Sequence, residues 1–245
     1  REWDGLRWVH RMDPGWTQSL LKTHNFGNGT WVKSNADISA QGSQGPNSAD
    51  AWPLVENTAA AISHYIRQAC SFVSGTSYCL SAVISPRTGN RFVHLTFTSV
   101  AFGSNAIAAF NPDTGEWTKN ATATGAGSIR MANGNWFIWM TATATATVAD
   151  TAHIRLNTTF SSTLDTWTGD GVSGVNVWCA NLTNTAYPVP ITSANNSAVT
   201  IGNAAWSGTL VGIGAALPGD FTLAADYILA NTEPAARRHI LRVDD

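Results

Sequence analysis

Apolar and polar residues alternate in short runs along most of this chain, a pattern that predicts strands rather than helices. In residues 65–72, the side chains of Ile66, Cys70 and Phe72 fall on one side of the predicted strand. Threonine occupies every second position of residues 141–147, and β-branched side chains favour strands over helices. Similar alternating runs lie at residues 92–97, 136–140, 153–157 and 175–180. The chain is therefore predicted to be all-β.

Tight turns separate several of these runs. Residues 112–115 read Pro-Asp-Thr-Gly: proline presets φ, Asp113 is expected to hydrogen-bond nearby backbone, and glycine accepts a positive φ. Asn133-Gly134, between two further runs, is a hairpin signal. Taken alone, the residues indicate an all-β domain without a visible active site.

A glycine loop and the strand after it resemble a known family. Residues 167–171 read Trp-Thr-Gly-Asp-Gly, and the glycines tolerate positive φ. The strand that follows alternates two sets of residues, Val175, Val177 and Cys179 against Asn176, Trp178 and Ala180. This stretch resembles the closing strand of a jelly-roll domain common in phage tail-fibre and head-fibre proteins, which is related to galactose-binding-like domains and carbohydrate-binding modules. Residues 25–33 and 133–145 are similar to other segments of the same domain.

The resemblance implies the fold and the domain limits. Residues 19–192 are expected to form an antiparallel two-sheet jelly-roll sandwich of the carbohydrate-binding type. Residues 193–245 are interpreted as a polar linker and the first strands of a second β module, similar to a concanavalin- or laminin-G-like jelly roll. So few strands cannot close a sandwich, so either the native chain continues, which we favour, or they complete a neighbour's sheet.

Residues 1–18 differ from the rest of the chain. They carry Trp3, Trp8 and Trp16 with mixed charge in a segment too short to fold alone. Tryptophan and arginine are favoured interface anchors, so one interpretation is an arm in which these tryptophans dock onto a neighbouring subunit. The alternative is a first strand of the same domain with its aromatic rings in the core. Fibre proteins are often oligomeric, so we expect a homo-oligomer.

Composition excludes several classes of function. The 245 residues are enough to bury a core, but the net charge is −2 and only 12% of residues are charged. A basic face of the kind that binds nucleic acid is therefore not expected. No apolar run reaches the roughly 18 residues of a membrane span. Nucleophile-elbow, zinc-protease and nucleotide-loop motifs are absent, so we do not expect an enzyme.

Metal and cofactor chemistry is sparse in the sequence. Cys70, Cys79 and Cys179 form no C-x-x-C pair and are expected to be buried free thiols, with a bridge between the first two as the alternative. The six histidines lack metal-ligand spacing and are expected to be satisfied surface groups. No cofactor is expected. Asp170, between two glycines, could cap its turn or help to ligate a structural calcium ion.

Tryptophan is unusually frequent, with 11 residues, and this excess bears on function. Proteins that bind sugars stack exposed aromatic rings against the sugar ring and use arginine, asparagine or histidine for its hydroxyl groups. By alternation, Trp139, Arg67, His94 and Arg155 each point away from the apolar residues of their own strand. If the strands are neighbours, these residues form one polar and aromatic face, which is the candidate carbohydrate site. The alternative is a solvated face or a subunit contact.

Three functions stay open at this point. The leading hypothesis is a non-catalytic protein at the virion surface, a head spike or tail fibre, that adheres to host cell-surface polysaccharide and contacts other virion proteins. The second is a purely structural capsid or tail component without glycan binding. The third is an accessory binding module of a polysaccharide-degrading enzyme.

Overall fold

The computed structural model describes residues 2–3, 8–9, 15–38, 51–131, 133–191, 194, 196–201, 224–225 and 241–242. The chain divides into two compact units, residues 1–204 and 205–245, and each is described by itself. In the second unit, the described residues are two short strands that pair antiparallel, with Ala224 opposite Arg242.

Almost all regular structure in the described residues is β-strand. In chain order the strands are β1 (Glu2–Trp3), β2 (Trp8–Val9), β3 (Trp16–Gln18), β4 (Val32–Ser34), β5 (Ala36–Ile38), β6 (Trp52–Glu56), β7 (Tyr65–Phe72), β8 (Ser77–Pro86), β9 (Phe92–Phe97), β10 (Ala106–Phe110), β11 (Trp117–Lys119), β12 (Gly125–Arg130), β13 (Trp136–Thr143), β14 (Val148–Asn157), β15 (Gly174–Thr183), β16 (Val199–Ile201), β17 (Ala224–Ala225) and β18 (Leu241–Arg242). A short helix, α1 (Ser99–Phe102), precedes β10.

The predicted all-β sandwich is confirmed. One sheet has six strands in the order β11-β10-β9-β14-β7-β4. The other has eight, with β12-β13-β8-β15-β3-β16 along its main path and with β6 pairing both β15 and β5. The pairings within both sheets are antiparallel. We call them the six-stranded and the eight-stranded sheet.

The inner faces of the two sheets form one apolar core. From the six-stranded sheet, Ile66, Leu95 and Ile154 lie in it without exposure; from the eight-stranded sheet, Ile138 and Leu182 do the same. Fully burying a side chain of this size contributes about 1.5–3 kcal/mol. Because these residues follow the period of two, their sequence neighbours point to the outer faces of the sandwich.

The closing strand departs from its predicted alternation at one position. Val177 lies opposite Ile84 and Cys179 lies opposite Val83, so Trp178 is an extra residue, a β-bulge. Val175 and Val177 face the core as expected, but Cys179 does not belong to their face. The expectation that these three residues share a face is wrong after the bulge, where Ala180 and Leu182 enter the core instead.

A buried carboxylate holds the glycine loop that precedes this strand. Glu56 is fully buried, and its oxygens accept hydrogen bonds from the Arg91 guanidinium at 2.6 and 2.7 Å, from the Trp167 indole at 2.9 Å and from the Asp170 backbone at 2.9 Å. Gly169 allows the loop to approach closely, since a Cβ there would lie 1.8 Å from the Asn57 carbonyl oxygen. The loop is therefore tied to the sheet by charge-assisted hydrogen bonds.

Both predicted turns are present. Gly115 has φ +77° and donates its N–H to the Asn111 carbonyl at 2.8 Å, while Gly134 has φ +86° and closes the β12–β13 hairpin. The side-chain hydrogen bond expected of Asp113 is made by Asn111 instead, whose Oδ1 accepts the Asp113 N–H at 3.0 Å.

The ends of the predicted domains meet in one sheet. Gln18 of β3 lies opposite Thr183 of β15, and β16 pairs with β3 along residues 199–201. Residues 16–18 therefore form a strand of the sandwich, as in the second of the two alternatives for the N-terminal segment. The limits 1–18, 19–192 and 193–245 themselves stay predictions.

Candidate functional site

Three of the four predicted carbohydrate-binding residues come together on the outer face of the six-stranded sheet. Strand β14 carries Arg155 and pairs with β7, which carries Arg67, and with β9, which carries His94. Arg155 lies directly opposite His94, and Arg67 lies directly opposite His153. Together with Tyr65 and Thr96, these residues form what we call the arginine face.

The fourth residue, Trp139, does not share this face. It lies on β13 in the eight-stranded sheet, and its neighbours Ile138 and Met140 point into the core. Its side chain is therefore on the opposite outer face of the sandwich. Its indole packs closely over Gly127, where a Cβ would lie 2.2 Å from the ring. The expectation of one face that includes Trp139 is wrong, because β13 and β14 belong to different sheets.

The arginines are the accessible part of the arginine face. Arg67, Arg155 and Tyr65 are half-buried, and the Arg155 guanidinium lies 4.4 Å above the centre of the Tyr65 ring. Burial lowers the pKa of Arg155, the Tyr65 hydroxyl opposes that shift, and the neighbouring positive charge of Arg67 adds to it. Within the described part of the chain, neither arginine forms a salt bridge.

His94 and His153 lie beneath the arginines and are buried. The expectation of satisfied surface histidines is therefore wrong for both. Burial and then the charge of Arg155 lower the pKa of His94 to about 4, although Asp165 and the backbone of Ser161 favour its protonated form. The same two causes, with Arg67, lower the pKa of His153 to about 3. Both imidazoles are neutral at pH 7, so each offers one donor and one acceptor nitrogen.

Several polar atoms of this face lack a hydrogen-bond partner of standard geometry among the described residues. They are His94 Nδ1 and Nε2, Thr96 Oγ1, His153 Nδ1 and Arg155 Nε. His153 Nε2 is paired, 2.7 Å from Thr151 Oγ1. A buried polar atom without a partner costs about 1–3 kcal/mol, and most such atoms in native proteins are satisfied. These atoms lie on two adjacent strands, β9 and β14, and those of the histidines and the threonine lie in the buried layer beneath the arginines.

The arginine face carries positive charge without a carboxylate among its strand residues. By alternation, no described strand position that points to this face is Asp or Glu. Asp165 is the neighbouring carboxylate, and its Oδ2 is already engaged by Asn157, Thr158 and Thr159. The arginine charges therefore stay available to a ligand.

A second surface feature is an aromatic cleft of about 570 Å³ beside β11, β12 and β13. Trp117, Trp136 and Phe160 line it together with Glu116 and Ser128. Trp117 and Phe160 are 45% and 37% exposed, so the cleft presents two aromatic side chains to solvent. The sequence does not predict this cleft, because Trp136, Trp117 and Phe160 come from three separate segments of the chain.

Asp170 caps its own turn. Its carboxylate accepts hydrogen bonds from the Ser173 hydroxyl, from the Ser173 N–H at 2.7 Å and from the Val172 N–H at 2.8 Å, with Arg91 nearby. These contacts, the Ser173 hydroxyl first, hold the pKa of Asp170 well below its usual range. They correspond to the capping role expected for Asp170, and a calcium ion at this turn stays a prediction.

The remaining candidate residues form no metal or redox centre within the part of the chain that the structure describes. Cys70, Cys79 and Cys179 are buried free thiols, and burial raises the pKa of the first two to about 12. The described residues contain no cluster of three His, Cys, Asp or Glu side chains that could hold a metal ion. They also contain no helix long and apolar enough to cross a membrane.

The three tryptophans of the N-terminal segment are partly described. The backbones of β1 and β2 pair antiparallel with Trp3 opposite Trp8, and the side chains of both lie outside the described residues. Trp16 lies on β3, opposite Ile201 of β16. A docking role for Trp3, Trp8 and Trp16 stays a prediction.

Comparisons with known proteins give a structural likeness but no family. No protein-family model and no curated protein matches the chain. Among solved structures, it is similar to the N-terminal endo-1,4-beta-D-xylanase 10B of Clostridium thermocellum, solved as its CBM22-1-GH10 modules complexed with xylohexaose. The two share 16% identity with a TM-score of 0.40, over 74% of this chain and 30% of the xylanase chain. This chain therefore spans less than a third of that protein's length.

Proposed function

We propose that this chain is a non-catalytic surface protein of a phage or phage-like particle, and that its arginine face adheres to host-cell polysaccharide. The resemblance of residues 19–192 to phage fibre jelly rolls supports the particle role. The observation that carries the adhesive role is the pair of half-buried arginines, Arg67 and Arg155, which lie on neighbouring strands and form no salt bridge with a described residue.

The chemistry of the arginine face suits a sugar polymer. Each sugar hydroxyl oxygen accepts hydrogen bonds, and the guanidinium group of arginine carries five N–H donors in a fixed planar arrangement. The half-buried Arg67 and Arg155 supply donors where a ligand first arrives. An open sheet face, unlike a deep pocket, allows a long polymer to pass across it.

Binding to an array of bacterial capsular polysaccharides tests this function. The full chain is expected to bind at least one polysaccharide, and Arg155→Gln is expected to weaken that binding by about tenfold or more, since a hydrogen bond to a charged group contributes about 1.5–3 kcal/mol. The affinity is measured by biolayer interferometry, with circular dichroism to confirm that the variant is folded.

Three matched variants locate the site. Arg130→Gln removes the same charge from an exposed strand position of the eight-stranded sheet, Trp139→Ala alters the opposite outer face, and Trp117→Ala alters the aromatic cleft. Each is expected to bind as the unaltered chain does. Failure of the unaltered chain to bind any polysaccharide would favour the purely structural role, and loss of binding in Trp117→Ala alone would move the site to the cleft.

A further inference from the structure

We propose that the arginine face recognises acidic sugar units, with a carboxylate of the polysaccharide held between Arg67 and Arg155. This inference rests on the proposed function and adds the class of polysaccharide. Its evidence is the position of two half-buried arginines beside one another, neither of which forms a salt bridge with any residue that the structure describes.

The two arginines are close enough to share one acidic group. Arg67 lies opposite His153, and Arg155 follows two residues later on the same strand, so the arginines are diagonal neighbours. Diagonal neighbours across an antiparallel pair have their side chains roughly 7–8 Å apart at the sheet surface. Arginine is long enough to span this distance, and its planar fork matches a carboxylate with two parallel hydrogen bonds.

The free protein carries a repulsion that an anion would relieve. The charge of Arg67 lowers the pKa of Arg155, as expected for two cations that disfavour each other. No Asp or Glu at a described strand position of this face offsets them, and Arg155 Nε lacks a partner among the described residues. A carboxylate placed between the two guanidinium groups would attract both and would supply an acceptor for Arg155.

The groups around the arginines suit the rest of a sugar unit. Tyr65 presents a half-buried ring beneath Arg155, and its ring centre is 4.9 Å from that of His153. The unpartnered atoms of His94 and Thr96 lie on the adjacent strand. They are buried beneath the arginines, so a ligand would contact the two guanidinium groups and the exposed part of Tyr65.

An acidic polysaccharide fits this face better than a nucleic acid does. Proteins that bind nucleic acid typically neutralise many phosphates at once along a basic stripe. The described strand positions of the arginine face contain two arginines and no lysine. Two cations match a single acidic group of a polysaccharide rather than a row of phosphates.

Carboxyl reduction provides a matched pair of ligands for the test. The probes are polygalacturonate, alginate, hyaluronan and polysialate, each with its carboxyl-reduced form, in which every carboxylate becomes a primary alcohol on the same backbone. Dextran sulfate with dextran separates sulfate from carboxylate recognition, and a 20-nucleotide single-stranded DNA tests for nucleic acid. Neutral capsular polysaccharides complete the set. Affinities are measured with the full chain at 50 and 300 mM NaCl.

The expected result is that at least one carboxylated polymer binds and that its reduced form binds tenfold or more weakly. Arg67→Gln is expected to remove most of this difference, whereas Arg130→Gln keeps it, which excludes non-specific attraction to surface cations. Binding is expected to weaken at the higher salt concentration, because screening weakens charge interactions.

The outcomes that overturn the inference differ from those that overturn the proposed function. Equal binding of a polymer and its reduced form, or binding of neutral polysaccharides alone, would refute acidic recognition and would keep glycan adhesion. Preference for dextran sulfate would replace the carboxylate with sulfate, and tighter binding of DNA would replace the polysaccharide. Absence of binding to every polysaccharide, acidic or neutral, would refute the proposed function as well.

Discussion

At the scale of single residues, buried polar groups divide into those that the fold uses and those that it leaves open. Glu56 is fully buried, yet both of its oxygens have partners, including a bidentate contact with Arg91. His94 is buried to the same extent, but neither ring nitrogen has a hydrogen-bond partner of standard geometry among the described residues, although a contact with the Ser161 backbone acts to raise its pKa. This contrast separates a carboxylate that anchors the fold from a buried imidazole that the fold pairs poorly, although both are titratable residues with no exposure.

The role of Glu56 as an anchor can be measured. Glu56→Gln is expected to lower the free energy of unfolding by about 3 kcal/mol, because it leaves the buried side of the Arg91 guanidinium without its counter-charge. Urea denaturation followed by tryptophan fluorescence reports this change. Glu116→Gln, on an exposed turn, is the matched control and is expected to change stability by less than about 0.5 kcal/mol. Equal effects of the two substitutions would contradict the anchoring role.

At the scale of elements, the period of two predicted which residues of each strand share a face, but not which strands share a sheet. Arg67 and Arg155 were placed on polar faces by their own strands, and pairing of β7 with β14 then brought them together. Trp139 met the same criterion on β13, yet β13 pairs with β8 and β12 in the other sheet. Sheet membership depends on pairing between strands that are distant in sequence, and alternation along one strand gives no information about that pairing.

Local irregularity limits prediction in a second way. A bulge inserts one residue and exchanges the inner and outer faces beyond it. The bulge at Trp178 places Cys179 outside the core cluster between the sheets and Ala180 inside it. The types of these side chains do not predict the change. Burial on the outer face, as at His94 and His153, is likewise set by neighbouring strands and loops, so their sequence context suggested surface residues.

The close pairing of β6 with β15 gives a prediction at this scale. A Cβ at Gly174 would lie 2.1 Å from the Leu54 carbonyl oxygen and 2.9 Å from the Val55 Cα. Gly174→Ala is therefore expected to push the two strands apart and to lower the free energy of unfolding by about 2 kcal/mol. The measurement is again urea denaturation.

Gly29→Ala is the matched control for this substitution. No atom lies within 4 Å of a Cβ added at Gly29, so its stability is expected to change by less than about 0.5 kcal/mol. If Gly174→Ala were as stable as Gly29→Ala, the strands would be less tightly paired than the structure indicates.

At the scale of the whole molecule, the N-terminal segment has two separable parts. Residues 16–18 are a strand between β15 and β16, and Gln18 is fully buried, where its Oε1 accepts the Leu182 N–H at 2.7 Å and the Leu20 N–H at 3.3 Å. Trp3 and Trp8 lie before this strand, on β1 and β2. Removal of all 18 residues would therefore remove both the proposed docking residues and part of a sheet.

Two truncations distinguish assembly from folding. Deletion of residues 1–14 is expected to leave the thermal unfolding midpoint nearly unchanged and to shift the protein to a smaller oligomer, because it removes Trp3 and Trp8 but keeps β3. Deletion of residues 1–18 is expected to lower the free energy of unfolding by at least about 2 kcal/mol, since two buried N–H groups lose the Gln18 acceptor. Light scattering coupled to size-exclusion chromatography gives the mass of each form. An unaltered chain that is monomeric, or a 1–14 deletion that keeps its full mass, would refute the docking arm, whereas an unchanged stability after the longer deletion would refute the structural role of β3.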